Sequence, residues 1–541
     1  MKKVMAIDGR SRFWDMNGLE TPCFPFPQHF HIQSWIPPAL SRLIQTLCLL
    51  SIWLCSAVAS PQVAEGAKAR GATQIIGVDV NPDKQTKGLG IDCGCSFRDL
   101  ARKYGPIMHL KLGQVDTIVV SSPEIVKEML KDKDPVYADR PESIALNIFW
   151  YNYVDITFSP YGHYWRQMRK ICILELLSAK NVRSFGFIRK DEVCRLVESL
   201  RLSGEEPVNL TDMVYLTLSS IICRAAFGKV LKDKEALMRL VSVALEMATG
   251  FLLADIFPSS VIANAVSWST KRRLMVMRRK MDAIFDEIIR EHESNGGGNG
   301  EFGNEDLVDV LLRVKESGDV DFPFGYDNIK AVILDMFTGG SETSSSSLDW
   351  VMTELMRNPR AMNKVQAEIR QVMKGRSHTS IEEDDIQKMK YLKLVIMESH
   401  RLHPQGSIIP RLSRESCQIN GYTIPAKTKV LVNAWAIQRD PKYWTDPESF
   451  KPERFLNQPT LDFTGNDTRY MPFGSGKRVC PGIAFGSASV ALPLAQLLHD
   501  FNWKLPHGVD AQDLNMIEHF GITSCRKYKL FVIATPYQPL P

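Results

Sequence analysis

Cys480 sits in a glycine-rich stretch, Phe473-Gly-Ser-Gly-Lys-Arg-Val-Cys-Pro-Gly482, and an apolar, helix-forming run from Ile483 to Leu498 follows it directly. A thiolate needs electropositive surroundings. Tight-loop N–H groups and a helix N-terminus supply them. Gly474, Gly476 and Gly482 are expected to let the backbone approach closely where a Cβ would intrude. Pro481 suits the first turn of a helix, and Arg478 can reach the edge of an anionic cofactor. The loop therefore reads as a cradle for one anionic sulfur ligand. Zinc and iron–sulfur centres need several ligands, whereas haem needs one proximal ligand and thiolate is among the known ones. The plain alternative is a buried cysteine in a Gly-rich turn.

The pattern Phe-x-x-Gly-x-Arg-x-Cys-x-Gly, filled by Phe473, Gly476, Arg478, Cys480 and Gly482, resembles the haem-ligand loop of the cytochrome P450 family. Three further stretches match that family in order. Trp165-Arg-Gln-Met-Arg169 puts an indole N–H and a guanidinium one helical turn apart, and guanidinium suits carboxylates. Its place after Ser159-Pro-Tyr-Gly-His163 makes it, by resemblance, a clamp for a haem propionate.

Gly339-Gly-Ser-Glu-Thr-Ser344 lies inside a helix predicted over Tyr326–Arg357. Adjacent glycines cost about 1 kcal/mol each in a helix interior, so a local distortion is expected. The stretch is similar to the family motif [Ala/Gly]-Gly-x-[Asp/Glu]-Thr-[Thr/Ser]. The resemblance implies a groove for dioxygen, Gly340 and Phe473 against the cofactor, and Glu342 and Thr343 as a proton relay. Glu398 and Arg401, at i,i+3, resemble the family's Glu-x-x-Arg signature, with Arg454 of Phe450-Lys-Pro-Glu-Arg-Phe455 as third member. Their implied role is structural, a buried ion network behind the ligand loop. By family position Arg411 is a further propionate ligand. Ser407–Ile409, with Ile408 and Ile409, Val332–Phe337, with Phe337, and Phe520–Ile522, with Phe520, are expected to line an apolar substrate pocket. Gln405-Gly406 departs from the Pro-rich run of common plant members.

The positioning elements follow from periodicity. A short helix over Ser96–Gly105 precedes a strand in which Met108, Leu110 and Leu112 alternate with His109 and Lys111. Gly113–Asp116 turns the chain into a second strand, Thr117–Val120. Helical periodicity then dominates to about residue 400, interrupted by a Gly/Asn-rich stretch, Ser294–Gly303, that reads as a mobile loop. Ser380-Ile-Glu-Glu383 reads as a capping box. The expected architecture is mainly α with small β-sheets: the cytochrome P450 fold, one large haem-binding domain over 97–541.

Composition is ordinary for a globular chain of 541 residues, 44% hydrophobic and 23% charged, and a net charge of +5 is too weak to argue for nucleic acid. Eleven scattered cysteines favour a reducing compartment, and Cys93-Gly-Cys95 reads as incidental. The sequons at Asn209 and Asn466 carry no meaning if this part faces the cytosol. Residues 1–96 are atypical. Leu43–Ala59 is apolar and about as long as the shortest spanning helix: a membrane anchor, a signal-like segment, or sequence foreign to the protein. Val63–Gly90 resembles a piece of the coenzyme domain of zinc-dependent alcohol dehydrogenases, without the Gly-rich phosphate turn or the zinc ligands, so no NAD binding is expected and a chimeric origin is.

The resemblance over 97–541 implies a plant microsomal monooxygenase, closest to the terpenoid and alkaloid hydroxylases. It implies haem b on Cys480, dioxygen, a small apolar substrate and electrons from an NADPH-cytochrome reductase. It also implies the endoplasmic reticulum membrane, with the catalytic domain in the cytosol. A haem-binding but inactive chimera and a haem-thiolate isomerase or dehydratase are the alternatives.

Overall fold

Met108 and Leu110 are buried while His109 and Lys111 face solvent, the period-2 pattern of a half-buried strand. That strand, Ile107–Leu112, is the edge of a four-stranded sheet in the computed structural model, which describes residues 93–295, 305–318, 320–375, 380–458, 460–519 and 521–538. It pairs antiparallel with Val115–Val120, which runs parallel to Lys429–Asn433, and Ile408–Leu412 closes the sheet antiparallel, Ile409 opposite Val432. Three smaller sheets of two or three strands and a large set of helices make up the rest. The helix ahead of the first strand is longer than expected, Cys93–Tyr104, and ends at Gly105 with φ +101°.

Tyr326–Arg357 is one helix with the expected bounds. The helix runs unbroken through Gly339–Ser344, the stretch where a distortion is expected from the sequence. Its glycines do other work. A Cβ on Gly340 would lie 2.3 Å from Ile222 Cδ1, so glycine lets the helix Leu210–Phe227 pack close against it. Gly339 has no heavy atom within 4 Å of where its Cβ would stand and leaves the wall open. Leu210–Phe227 is long and apolar enough to cross a membrane, yet Val214, Leu218, Ile221 and Ile222 belong to the main core. Its cap is Asn209, whose side chain accepts from the Asp212 N–H at 3.2 Å and donates to Asp212 Oδ2 at 2.6 Å.

The capping box near residue 380 is one pair further on: Glu382 caps Glu383–Ile386 reciprocally with Asp385. Glu383 instead pairs with the buried Arg189 of the helix Gly186–Leu202. The apolar segment 43–59, the dehydrogenase-like fragment 63–90, loop residues 296–303 and Phe520 lie outside the described residues.

Candidate active site

The helix after the cysteine runs Ile483–Asp500 with Gly482 as its N-cap. Pro481 therefore precedes the helix instead of filling its first turn. The loop before it is closed by the Cys480 N–H donating to Phe473 O at 2.9 Å and Val479 N–H to Gly476 O at 3.0 Å. Its glycines divide by need. Gly474 and Gly476 have φ of +78° and +73°, which L side chains rarely adopt. At Gly476 a Cβ would also lie 2.6 Å from Leu130 O and 2.7 Å from Asp134 Oδ2. Gly482 has φ −91°, and its Cβ would only touch Cys480 Sγ at 3.8 Å, so neither conformation nor space demands glycine there.

Cys480 lines a cavity of about 440 Å³. Its Sγ accepts from the Gly482 N–H at 3.3 Å. Burial pushes the thiol up, against that N–H and the Arg169 guanidinium, which favour the thiolate. Burial and the loop's N–H donor thus act in opposite directions on the sulfur.

Arg140, Arg169, Arg411 and Arg478 stand on the cavity wall together. They donate to backbone carbonyls: Arg140 to Thr157 and Pro410, Arg169 to Val479, Arg411 to Pro410 and Ser475, Arg478 to Ala138, Ile156 and Ser159. Arg411 Nε is buried with no partner. Burial pulls Arg411 down to about 10 and Arg478 to about 9, and neighbouring guanidiniums add to both. All keep their protons at neutral pH, so the wall is a concentration of positive charge short of anions. One sulfur ligand and a cluster of carboxylate-seeking guanidiniums fit an iron porphyrin with its two propionates.

Trp165, expected beside Arg169 at a propionate, does not reach this wall. Its indole N–H donates to Ile156 O at 2.9 Å and it does not line the cavity. It lies under the Arg169 and Arg478 guanidiniums, 5.3 and 4.4 Å from its ring, and so supports two arginines that line the cavity. Arg140 was missed by sequence reasoning; an isolated arginine in Ala138-Asp-Arg-Pro141 carries no spacing signal.

On the central helix, Asp335, Met336, Gly339, Gly340, Thr343, Ser344 and Ser347 line the cavity. Thr343 Oγ1 donates to Gly339 O. Two expected residues fall off this face. Phe337 is fully buried in the main core and Met336 takes its place on the wall. Glu342 faces away from the cavity, toward Cys525, with Oε1 3.8 Å from Cys525 Sγ and Oε2 buried without a partner. Burial pushes its carboxyl up to about 7, with the charge of Glu246 adding to the rise. Phe473, Ile408, Ile409 and Ile522 lie on the wall, as do Gln405 and Gly406, while Val332 and Ser407 do not.

Behind the loop, Arg401 grips Glu398 twice, Nε to Oε2 at 2.8 Å and Nη2 to Oε1 at 3.0 Å, and Arg454 Nε reaches Glu398 Oε1 at 2.9 Å. Glu398 and Arg401 are fully buried. Arg401 also donates to the carbonyl of Gln438, whose side chain accepts from the Met471 N–H at 2.8 Å, which ties the network to the start of the ligand loop.

The chain matches the family model described as Cytochrome P450 over residues 93–529. It is 53% identical over 447 residues to a premnaspirodiene oxygenase of Hyoscyamus muticus, covering 82% of this chain and 88% of the relative. It is 52% identical over 449 residues to a 5-epiaristolochene 1,3-dihydroxylase of Nicotiana tabacum, with the same shares. A solved zebra fish cytochrome P450 with abiraterone shares the fold at a TM-score of 0.69, covering 82% of this chain and 100% of that one at 24% identity. Sequence, fold and a cavity with one cysteine sulfur in its wall agree, and the chain belongs to the cytochrome P450 family, as a haem-iron monooxygenase.

Proposed function

We propose that this protein hydroxylates an apolar plant terpenoid, with haem b on Cys480, dioxygen, and electrons delivered from NADPH by a flavoprotein reductase at the endoplasmic reticulum membrane. The observation that carries this reading is Cys480 in the wall of a cavity whose guanidiniums lack anions and whose remaining lining is mostly apolar. The two relatives compared are named for oxygenating premnaspirodiene and 5-epiaristolochene, and both names support a terpenoid substrate here.

When bound, the haem supplies the oxidising chemistry and this chain supplies position, charge and protons. Cys480 would hold the iron. Arg140, Arg169, Arg411 and Arg478 would hold the two propionates in place of the carbonyls that now take most of their N–H groups. Ile408 and Ile409 would orient an apolar substrate and exclude water. Thr343 presents a hydroxyl at the wall, and Glu342, one residue on the far side, stores a proton near neutral pH.

The test begins with the reduced, carbon-monoxide-bound absorbance of wild type beside Cys480→Ser. A strongly red-shifted Soret band present only in wild type is expected. Turnover of a sesquiterpene hydrocarbon with reductase, NADPH and labelled dioxygen should then place label in the product. Product formation without NADPH or oxygen uptake would mean an isomerase, and a normal band with no turnover of any terpenoid would sink the substrate assignment.

A further inference from the structure

Lys429 stands on the cavity wall at the start of the strand Lys429–Asn433. Strand alternation puts Lys429 and Leu431 on the cavity side, while Val430 and Val432 join the core cluster behind the sheet. Its ammonium lies 4.9 Å from the Phe251 ring centroid. Among the described residues no carboxylate comes within the 4.0 Å of an ion pair, and the ring is what stands beside it. Asp255 attracts it from beyond contact distance. The Asp255 carboxylate is engaged elsewhere, with Oδ1 accepting from the Ile144 N–H at 2.8 Å and Oδ2 buried without a partner. Glu142 shares the wall but is solvent-exposed.

The ammonium lies beside the Phe251 ring and the backbone at Gly250, with Ser143 close by, and Leu146, Phe158, Ile222, Ala226 and Leu431 are among the apolar residues that line the same cavity. A half-buried ammonium with an aromatic ring beside it and no carboxylate at ion-pair distance among the described residues is incompletely compensated. It also differs from the guanidinium cluster in chemistry: it is a compact point charge, not a planar fork built for paired carboxylate oxygens. None of the carbonyls that hold the four arginines is a partner of Lys429. The haem propionates thus have their own site, and this cation is left for the substrate.

We propose that Lys429 is a subsite for a carboxylate carried at one end of an otherwise apolar substrate. The proposal rests on the cavity being a substrate pocket, and it narrows the substrate class from hydrocarbon to terpenoid acid.

The experiment uses the full-length, haem-loaded protein and three ligands on one skeleton: a sesquiterpene hydrocarbon, its carboxylic acid and the methyl ester of that acid. Affinity is read from the ligand-induced shift of the Soret band. Wild type should bind the acid more tightly than the ester by roughly tenfold or more, the scale of one charge-assisted hydrogen bond. Lys429→Met should lose that acid-to-ester ratio, Lys429→Arg should keep it, and added salt should shrink it. The ester comparison needs no variant, so a misfolded Lys429→Met cannot rescue the idea. Equal affinity for acid and ester in wild type, or an unchanged ratio in a folded Lys429→Met, overturns the Lys429 subsite while leaving the pocket intact. Failure of all three ligands to shift the band of haem-loaded wild type overturns the pocket reading and the subsite with it.

Discussion

Replacing Glu342 by Gln should make the protein more stable at alkaline pH and leave it unchanged in acid. The carboxyl is raised from 4.5 to about 7 by burial. The folded state therefore holds a proton that the unfolded chain has already released between those values. At about 1.4 kcal/mol per tenfold change in acidity, the rise corresponds to about 3 kcal/mol. The sign follows from which state binds the proton. Below pH 4.5 both states are protonated and Glu342 carries no penalty. As pH rises through about 7 the folded state must ionise a buried carboxyl with an unpartnered oxygen, and stability is lost. Gln keeps the shape and cannot ionise. Denaturant unfolding of wild type and Glu342→Gln, followed by loss of the Soret band, should give coincident midpoints near pH 4.5 and an advantage to Gln that grows toward about 3 kcal/mol by pH 8.5. A constant gap across that range, or a gap that grows toward acid, would refute the assignment of the buried ionisation to Glu342.

Other substitutions follow from the same geometry. Gly476→Ala should abolish haem incorporation, because it strains a φ of +73° and puts a Cβ 2.6 Å from Leu130 O, whereas Gly482→Ala should still fold; the reduced carbon-monoxide spectrum separates them. Arg454→Ala leaves one oxygen of a fully buried Glu398 without its second guanidinium and should destabilise by about 3–5 kcal/mol in chemical unfolding. Gly340→Ala should cost about 1–3 kcal/mol through overpacking against Ile222, and Ile222→Ala in the same chain should recover part of it; no recovery would place the strain elsewhere.

The site was legible where chemistry leaves a spaced signature. The ligand loop, the Glu398–Arg401 pair with Arg454, and the bounds of Tyr326–Arg357 could all be read from residue types at fixed intervals. The face of that helix was legible too, but was misread. Counting back and forward from Thr343 at helical spacing gives Met336, Gly339, Gly340 and Ser347, all of them on the wall, and passes over Phe337 and Glu342. Trp165 was misplaced for a different reason. Its spacing to Arg169 is correct, but an indole N–H takes whichever acceptor the fold brings near, and here that is the carbonyl of Ile156.

What the amino-acid order determined by itself is local: helical and strand periods, the turns that need positive φ, and the cysteine whose glycine-rich neighbours mark it as a candidate ligand. Tertiary structure decided what each group meets across the chain. Arg140 joins Arg169, Arg411 and Arg478 only because four distant segments converge on one wall. Burial, which no local pattern measures, pushed the Cys480 thiol up where the loop alone argued for a thiolate, and raised Glu342 to about 7. Lys429 stands without a contact counter-ion for the same reason: desolvation and the distance to the next charge are properties of the folded chain, not of the order of its residues.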